Sequence, residues 1–212
     1  MAIQVSSKLT PHFPLRRGVV TLSLIISLYF VPPAFSQGGA STAQADLDQL
    51  VQNAQNIVRG RVISAMIEPH PQFPNLKTVV ITLSVTSVLK GSAGSTLTFR
   101  QFQWDSRDAS SMAGYKSAGE VLLFLNPVSQ YGLTSTVGLE QGRFRVLLDD
   151  KGNRYVVNGR GNLGLFSEVP AKAATRGIVF SKPVQAMLVN SKEKASLEAF
   201  EEAVRTLAGT PK

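Results

Sequence analysis

The most regular alternation of apolar and polar residues lies between Thr78 and Leu89. Val79, Ile81, Leu83 and Val85 fall on one side of an extended chain, and Val80, Thr82, Ser84 and Thr86 on the other, which is the period of a half-buried strand. The phase slips near Ser87, which predicts a bulge or bend there. Ile57–Ser64, Thr96–Trp104 and Leu133–Leu139 read as further strands, with Lys90 and Gly91 turning the chain. Val121–Leu125 has no polar alternation and predicts a central strand covered on both faces, ended by Asn126 and Pro127. Gly142–Leu148 and Arg154–Val157 flank the turn-forming run Asp149–Asn153, a hairpin signal. Helical periods occur near the two ends. Thr42 as cap, with Leu47, Leu50, Val51 and Ala54 on one face, predicts a helix to about Gln55. Ser196 as cap, with Leu197, Phe200, Val204 and Leu207 as the apolar stripe, predicts a helix over 196–208 that Gly209 stops. Glu68–Asn75 reads as a proline-rich loop, Asp105–Gly119 as a polar loop, and 159–192 as irregular. Five or six consecutive strands with two covering helices predict a mainly β, α+β fold, either a small closed barrel or a curled antiparallel sheet.

Ahead of this pattern stands an apolar run of another kind. Lys8, Arg16 and Arg17 precede the stretch Gly18–Val31, Pro32 and Pro33 break it, and Ala34, Phe35 and Ser36 form a small-x-small exit. These are the three parts of a secretory leader over 1–36, cleaved between Ser36 and Gln37. The run is short for a spanning helix, which takes about 20 apolar residues, so no stable membrane span is expected after cleavage. Leu15 and Gly18 do not frame a twin-arginine motif around Arg16 and Arg17. The expected location is exported, periplasmic or extracellular, with residues 37–42 disordered and 43–212 a single domain.

Composition narrows the chemistry. The chain has 22 Lys and Arg against 14 Asp and Glu, a net charge of +8, and it stays basic without the leader. That balance admits an anionic partner without requiring one. There are no cysteines. An exported domain without them has no disulfide staples, no thiol nucleophile, no thiolate metal site and no lipidated N-terminal cysteine.

Three segments carry a resemblance: Asn56–Val62, Thr82–Gly91 with its Leu-Lys-Gly turn, and Gly119–Leu125. They resemble the netrin-like OB-fold modules typified by the tissue inhibitors of metalloproteinases. They are more similar still to uncharacterised exported bacterial domains of that type, some of which precede a matrixin-type zinc protease and continue with a segment like Val137–Phe144. The likeness covers roughly residues 45–148 and the terminal helix, and it implies an OB-like five- to six-stranded barrel. The inhibitor activity does not transfer. Those inhibitors chelate zinc through an N-terminal cysteine, whereas here the expected mature end is Gln37 and no cysteine exists. A His-Glu-x-x-His motif is also absent from the chain.

Other motifs fail on context. Gly159–Gly164 matches G-x-G-x-x-G, but the following Leu165–Pro170 has no helical period to aim amides at a pyrophosphate. Ser87 with Lys90, and Ser191 with Lys194, match S-x-x-K without the partner motifs of penicillin-recognising enzymes. His70 is the one histidine after the leader, and between Pro69 and Pro71 it is expected to be exposed. Asp149 and Asp150 read as turn formers. No catalytic residue, cofactor or metal ligand is assigned.

The remaining candidates form three readings. The first is a non-enzymatic binding or protein-interaction module of unknown partner, with a contact surface on Arg100, Phe102, Trp104 and the loop through Tyr115, since long polar loops on rigid scaffolds carry binding residues. The second is a binder of anionic envelope polymer through the faces formed by Arg59 with Arg61 and Arg143 with Arg145. OB-folds hold single-stranded nucleic acid with such surfaces, but export argues against nucleic acid as the ligand. The third is a hydrolase using Glu120 and Glu140, if a cleft holds them together.

Overall fold

The computed structural model describes residues 42–103, 114, 115, 119–190 and 194–209. The leader, the cleavage position at Ser36 and Gln37, and Trp104 lie outside the described residues. Two long strands dominate, β1 (Asn56–Pro69) and β2 (Lys77–Lys90). With β3 (Thr96–Phe102), β4 (Glu120–Leu125), β5 (Arg143–Leu148), β6 (Arg154–Asn158) and β7 (Ala195–Ser196) they form one antiparallel sheet in the order β3-β2-β1-β4-β5-β6-β7. Seven strands replace the expected five or six. Among the described residues β3 and β7 do not pair with each other, so the sheet is open, and of the two expected forms the closed barrel is not made.

The two faces of the sheet bury separate cores, and the strand patterns show why. In β4, Val121, Leu123 and Leu125 enter one cluster while Leu122 and Phe124 enter the other, which makes β4 the doubly covered strand its unbroken apolar run predicts. In β2, Val79, Ile81 and Leu83 share the cluster of Val121, as the alternation requires. The slip near Ser87 is a bulge: Arg59 pairs with Ser87 and Gly60 with Val85, leaving Thr86 unpaired. A second bulge leaves out Leu89, and a third, on β1, leaves out Ile63 between Val62 and Ser64. Past Ile63 the inward set changes from Val58 and Val62 to Ala65 and Ile67. Bulges add twist and bend. Here they let the far half of the β1–β2 hairpin share a cluster with β4, whose pairing to β1 stops at Arg61. Gly60 sits at the bend, where a Cβ would lie 2.5 Å from the Ser84 carbonyl oxygen, so only glycine fits.

Helices cover the other face. α1 (Leu47–Asn53) is capped by Asp46 rather than Thr42. The Asp46 carboxylate accepts from Gln49 N at 2.9 Å while Gln49 Oε1 accepts from Asp46 N at 3.0 Å, a reciprocal capping box. Thr42 donates instead to the Gly138 carbonyl at 3.2 Å. At the other end of α1, Lys90 Nζ donates to the Val51 carbonyl at 2.7 Å, a cation on the negative pole of the helix. The stretch expected to be irregular contains two short helices, α2 (Val169–Thr175) and α3 (Lys182–Asn190), which bury Val169, Ala173, Val184, Met187 and Leu188. Pro170 and Pro183, which mask a helical period, stand in the first turns, where a missing N–H costs nothing.

α4 (Leu197–Ala208) buries its predicted stripe, and Phe200 touches Phe124, Phe144 and Phe166. Each large side chain so buried contributes about 1.5–3 kcal/mol. Ser196 stands at the cap position but its hydroxyl reaches Glu198 at 3.3 Å, not a backbone amide. Gly209 ends the helix at φ 68°, as the C-terminal signal requires. No helix among the described residues is long and apolar enough to cross a membrane.

Candidate functional site

Arg100 is the centre of the most built surface feature. It lies on β3 opposite Val80. Its guanidinium donates to Thr78 Oγ1 at 2.6 Å, to the Pro69 carbonyl at 3.2 Å and to Glu68 at 2.9 Å. One side chain thus braces the ends of β1, β2 and β3, and fixed anchoring of this kind costs a binding group little entropy on contact.

Beside it, the loop 70–76 folds around His70. The imidazole is buried, against the exposure expected for it. Gln72 N donates to Nδ1 at 3.1 Å, which leaves the proton on Nε2, and Nε2 donates to the Tyr131 carbonyl at 2.8 Å. Phe73 stacks on the ring at 5.1 Å and meets Tyr131 edge-on at 5.6 Å. His70 therefore ties the loop 70–76 to the loop 126–132, and no sequence neighbour announces this because Tyr131 lies far along the chain.

The second loop is held by its own bonds. Thr134 Oγ1 donates to the Asn126 carbonyl at 2.7 Å, and Ser129 N to the Leu133 carbonyl at 2.8 Å. The segment that follows touches two strands. Thr134 N donates to the Arg100 carbonyl at 2.8 Å, Asn126 N to the Ser135 carbonyl at 2.9 Å, and Val137 N to the Phe124 carbonyl at 2.7 Å.

Two shallow hollows result, sharing Arg100 and Gly132. One, of about 250 Å³, is lined by His70, Gln72, Gln130 and Tyr131. The other, of about 260 Å³, is lined by Val80, Thr98, Phe99, Val128 and Thr134. Large apolar groups stand in the open around them: Phe73 is 45% exposed, Tyr131 49% and Val128 61%. An arginine, two amide side chains and exposed aromatics thus meet on one surface.

The other expected residues are dispersed. Phe102 is at the end of β3 on the side of Arg100, partly buried. Tyr115 is fully buried, edge-on to Phe99 at 6.0 Å and beneath the Arg143 guanidinium at 5.2 Å, so it is a core residue and not a surface contact. Among the described residues its hydroxyl has no hydrogen-bond partner. Burial pushes its pKa well above the ordinary tyrosine value, so it stays protonated.

Glu120 and Glu140 are not brought together. Glu120 pairs with Arg59, which also bonds Glu201 at 2.6 Å, and Glu140 pairs with Arg143 at 2.7 Å. Glu120 opens β4, while the turn Leu139–Gln141 lies near the far end, where Phe124 N meets the Gly142 carbonyl. Four strand residues, about 13 Å, separate those levels, against the roughly 5–9.5 Å of paired catalytic carboxylates. The arginine faces are also divided. Arg59 and Arg61 look toward α4, whereas Arg143 and Arg145 share the opposite face with Val121 and Leu123.

The glycine loop after β6 spends its amides internally. Asn158 Oδ1 accepts from Arg160 N at 3.0 Å and Asn162 N at 2.9 Å, and Asn162 Oδ1 accepts from Asn158 N at 2.9 Å. A buried asparagine pair, not a phosphate, shapes it. Ser87 accepts from Arg205 at 2.8 Å and Lys90 caps α1, so their S-x-x-K match carries no shared chemistry, while Ser191 lies outside the described residues. Among the described residues, no group of three or more His, Asp or Glu side chains is placed to hold a metal ion. Compared with protein-family models, with curated proteins and with solved structures, the chain matches none of them.

Proposed function

We propose that this chain is an exported, non-enzymatic interaction module of OB-like form, and that it holds its partner on Arg100 and the loops 70–76 and 126–134. The observation that carries the reading is the braced arginine between two hollows, ringed by half-exposed Phe73 and Tyr131 from two loops that His70 locks together. Preformed concave surfaces with exposed aromatics and an arginine are what contact hot spots are made of. The OB-like form is supported by the segment 133–137, which bonds to the edge of β3 and to the end of β4, the place where a fifth barrel strand would lie. Loops after the first and fourth strands flank the ligand face in such barrels. Export rests on the leader at 1–36.

An anionic polymer as partner has less support, because Arg59, Arg100 and Arg143 already hold carboxylates and the exposed Arg61 and Arg145 face opposite ways. The test is affinity capture from envelope extract on the immobilised protein, eluted with rising salt, beside Tyr131→Ala and Phe73→Ala. Retention that survives high salt and disappears in either variant, with melting unchanged, is the expected result. Retention indifferent to both variants refutes the site.

A further inference from the structure

We infer that the bound partner is an extended peptide that adds a strand to β3 at Thr96–Thr98 and places an aliphatic side chain in the hollow beside it. This rests on the interaction-module reading above and specifies its mode.

The direction of the β3 backbone carries the argument. Val85 N donates to the Ser95 carbonyl at 2.8 Å, and Gln103 N to the Lys77 carbonyl at 3.3 Å. These bonds flank the facing pairs Ser84 with Thr96 and Thr78 with Phe102, so both are non-hydrogen-bonded pairs. No register shift interrupts the strands between them. Every second residue therefore behaves alike, and Thr96, Thr98 and Arg100 turn both N–H and carbonyl away from β2. The Arg100 carbonyl confirms the direction by accepting from Thr134 N on the outer side. That is the one backbone bond from the segment 128–134 to β3 among the described residues. Among the described residues nothing pairs with the outward backbone groups of Thr96 and Thr98, and both side chains are exposed.

Sheet edges are normally blunted by a lysine, a proline or a bulge. The run Thr-Leu-Thr-Phe-Arg has none of these and is rich in strand-forming residues. A row of outward donors and acceptors at strand spacing recognises another extended backbone and little else. The hollow at this edge, lined by Val80, Phe99 and Val128, takes a side chain of the added strand. Its lining is otherwise uncharged, and the guanidinium of Arg100 at its rim is already paired with Glu68, so an uncharged side chain is favoured there over a charged one.

The probe is a phage-displayed library of seven-residue peptides selected on the immobilised protein, with the best peptide then made synthetically. Thr98→Pro removes one outward N–H without touching a bond to β2, a substitution that edge strands tolerate. The expected result is a selected peptide with an aliphatic residue at one fixed position. Its binding falls at least tenfold in Thr98→Pro and in Val128→Lys. It also falls at least tenfold when alternate amides of the peptide are N-methylated, a change that leaves the protein untouched. Peptides that bind, lose affinity in Tyr131→Ala, and ignore both N-methylation and Thr98→Pro overturn the strand mode while keeping the site. Absence of any selected peptide, or selected peptides indifferent to every variant, overturns both. A dimer by sedimentation that Thr98→Pro dissolves overturns the peptide in favour of a second copy of this chain on the same edge.

Discussion

Replacing Tyr115 with phenylalanine is expected to make this protein more stable, although the tyrosine is fully buried. The ring fills space against Phe99 and under Arg143, and phenylalanine keeps both contacts. Among the described residues the enclosed hydroxyl has no hydrogen-bond partner. Leaving such a group unsatisfied costs about 1–3 kcal/mol, so its removal returns about 1–2 kcal/mol after the small loss of oxygen contacts. Tyr115→Ala has the opposite sign, because emptying an aromatic site in a packed core costs about 3–5 kcal/mol. Urea unfolding followed by circular dichroism reads both, through a midpoint that moves at constant slope. For a domain of this size 1 kcal/mol corresponds to about 2–4 °C in melting temperature. If Tyr115→Phe is less stable than the parent by 1 kcal/mol or more, the hydroxyl has a partner and the reasoning fails. Spectrophotometric titration gives a second reading, in which one tyrosine of the native protein fails to ionise where ordinary tyrosines do.

Three further outcomes are expected. Asn162→Ala should cost about 2–4 kcal/mol in urea unfolding, since it strips partners from Asn158 N and the Val156 carbonyl and leaves a non-glycine residue at φ 59°; Asn162→Gly should recover only the backbone share. Arg59→Met leaves Glu120 and Glu201 without their common cation and should cost about 2–4 kcal/mol in urea unfolding at neutral pH. Hydrogen bonds from the side chain and backbone of Asn153 hold the exposed Asp149 carboxyl below its ordinary pKa. Its contribution to the hairpin is therefore present above the ordinary aspartate value and lost as pH falls through the lowered one, and the stability gap between parent and Asp149→Ala should close over that interval.

Much of the sheet was legible because its signals are local. The alternation from Val79 to Val85, the slip beside Ser87, the double-sided run Val121–Leu125 and the turn at Asp149–Asn153 each depend on neighbours in sequence. The misses depend on residues far apart. β7 has two residues and exists only because Val156 and Tyr155 are there to pair with. α2 and α3 are short and carry a proline in the first turn, and the buried positions of each are too few to establish a period. His70 looked exposed because its flanking prolines say loop, while the groups that bury it include Tyr131. Arg100 was legible as a candidate from its place beside Phe102, but its clamps come from Glu68, Pro69 and Thr78 on other strands. Tyr115 sits in a polar stretch and is nonetheless core, because the apolar face under it is assembled from β2, β3 and β4.

The three bulges also bear on how this shape can change by descent. Thr86, Leu89 and Ile63 are each one residue more than the partner strand has. Deleting Ile63 would leave Val62 and Ala65 facing the same core, since Ser64 already points the other way, so the apolar pattern survives a change in length at that point. What the deletion removes is the local bend. At the exposed Ile63, unlike at the fully buried Leu89, curvature of the hairpin, and with it the distance between β3 and the segment at Thr134, is thus adjustable by a single-residue insertion or deletion without rewriting a core position, a route by which the same sheet can be opened or closed around different partners.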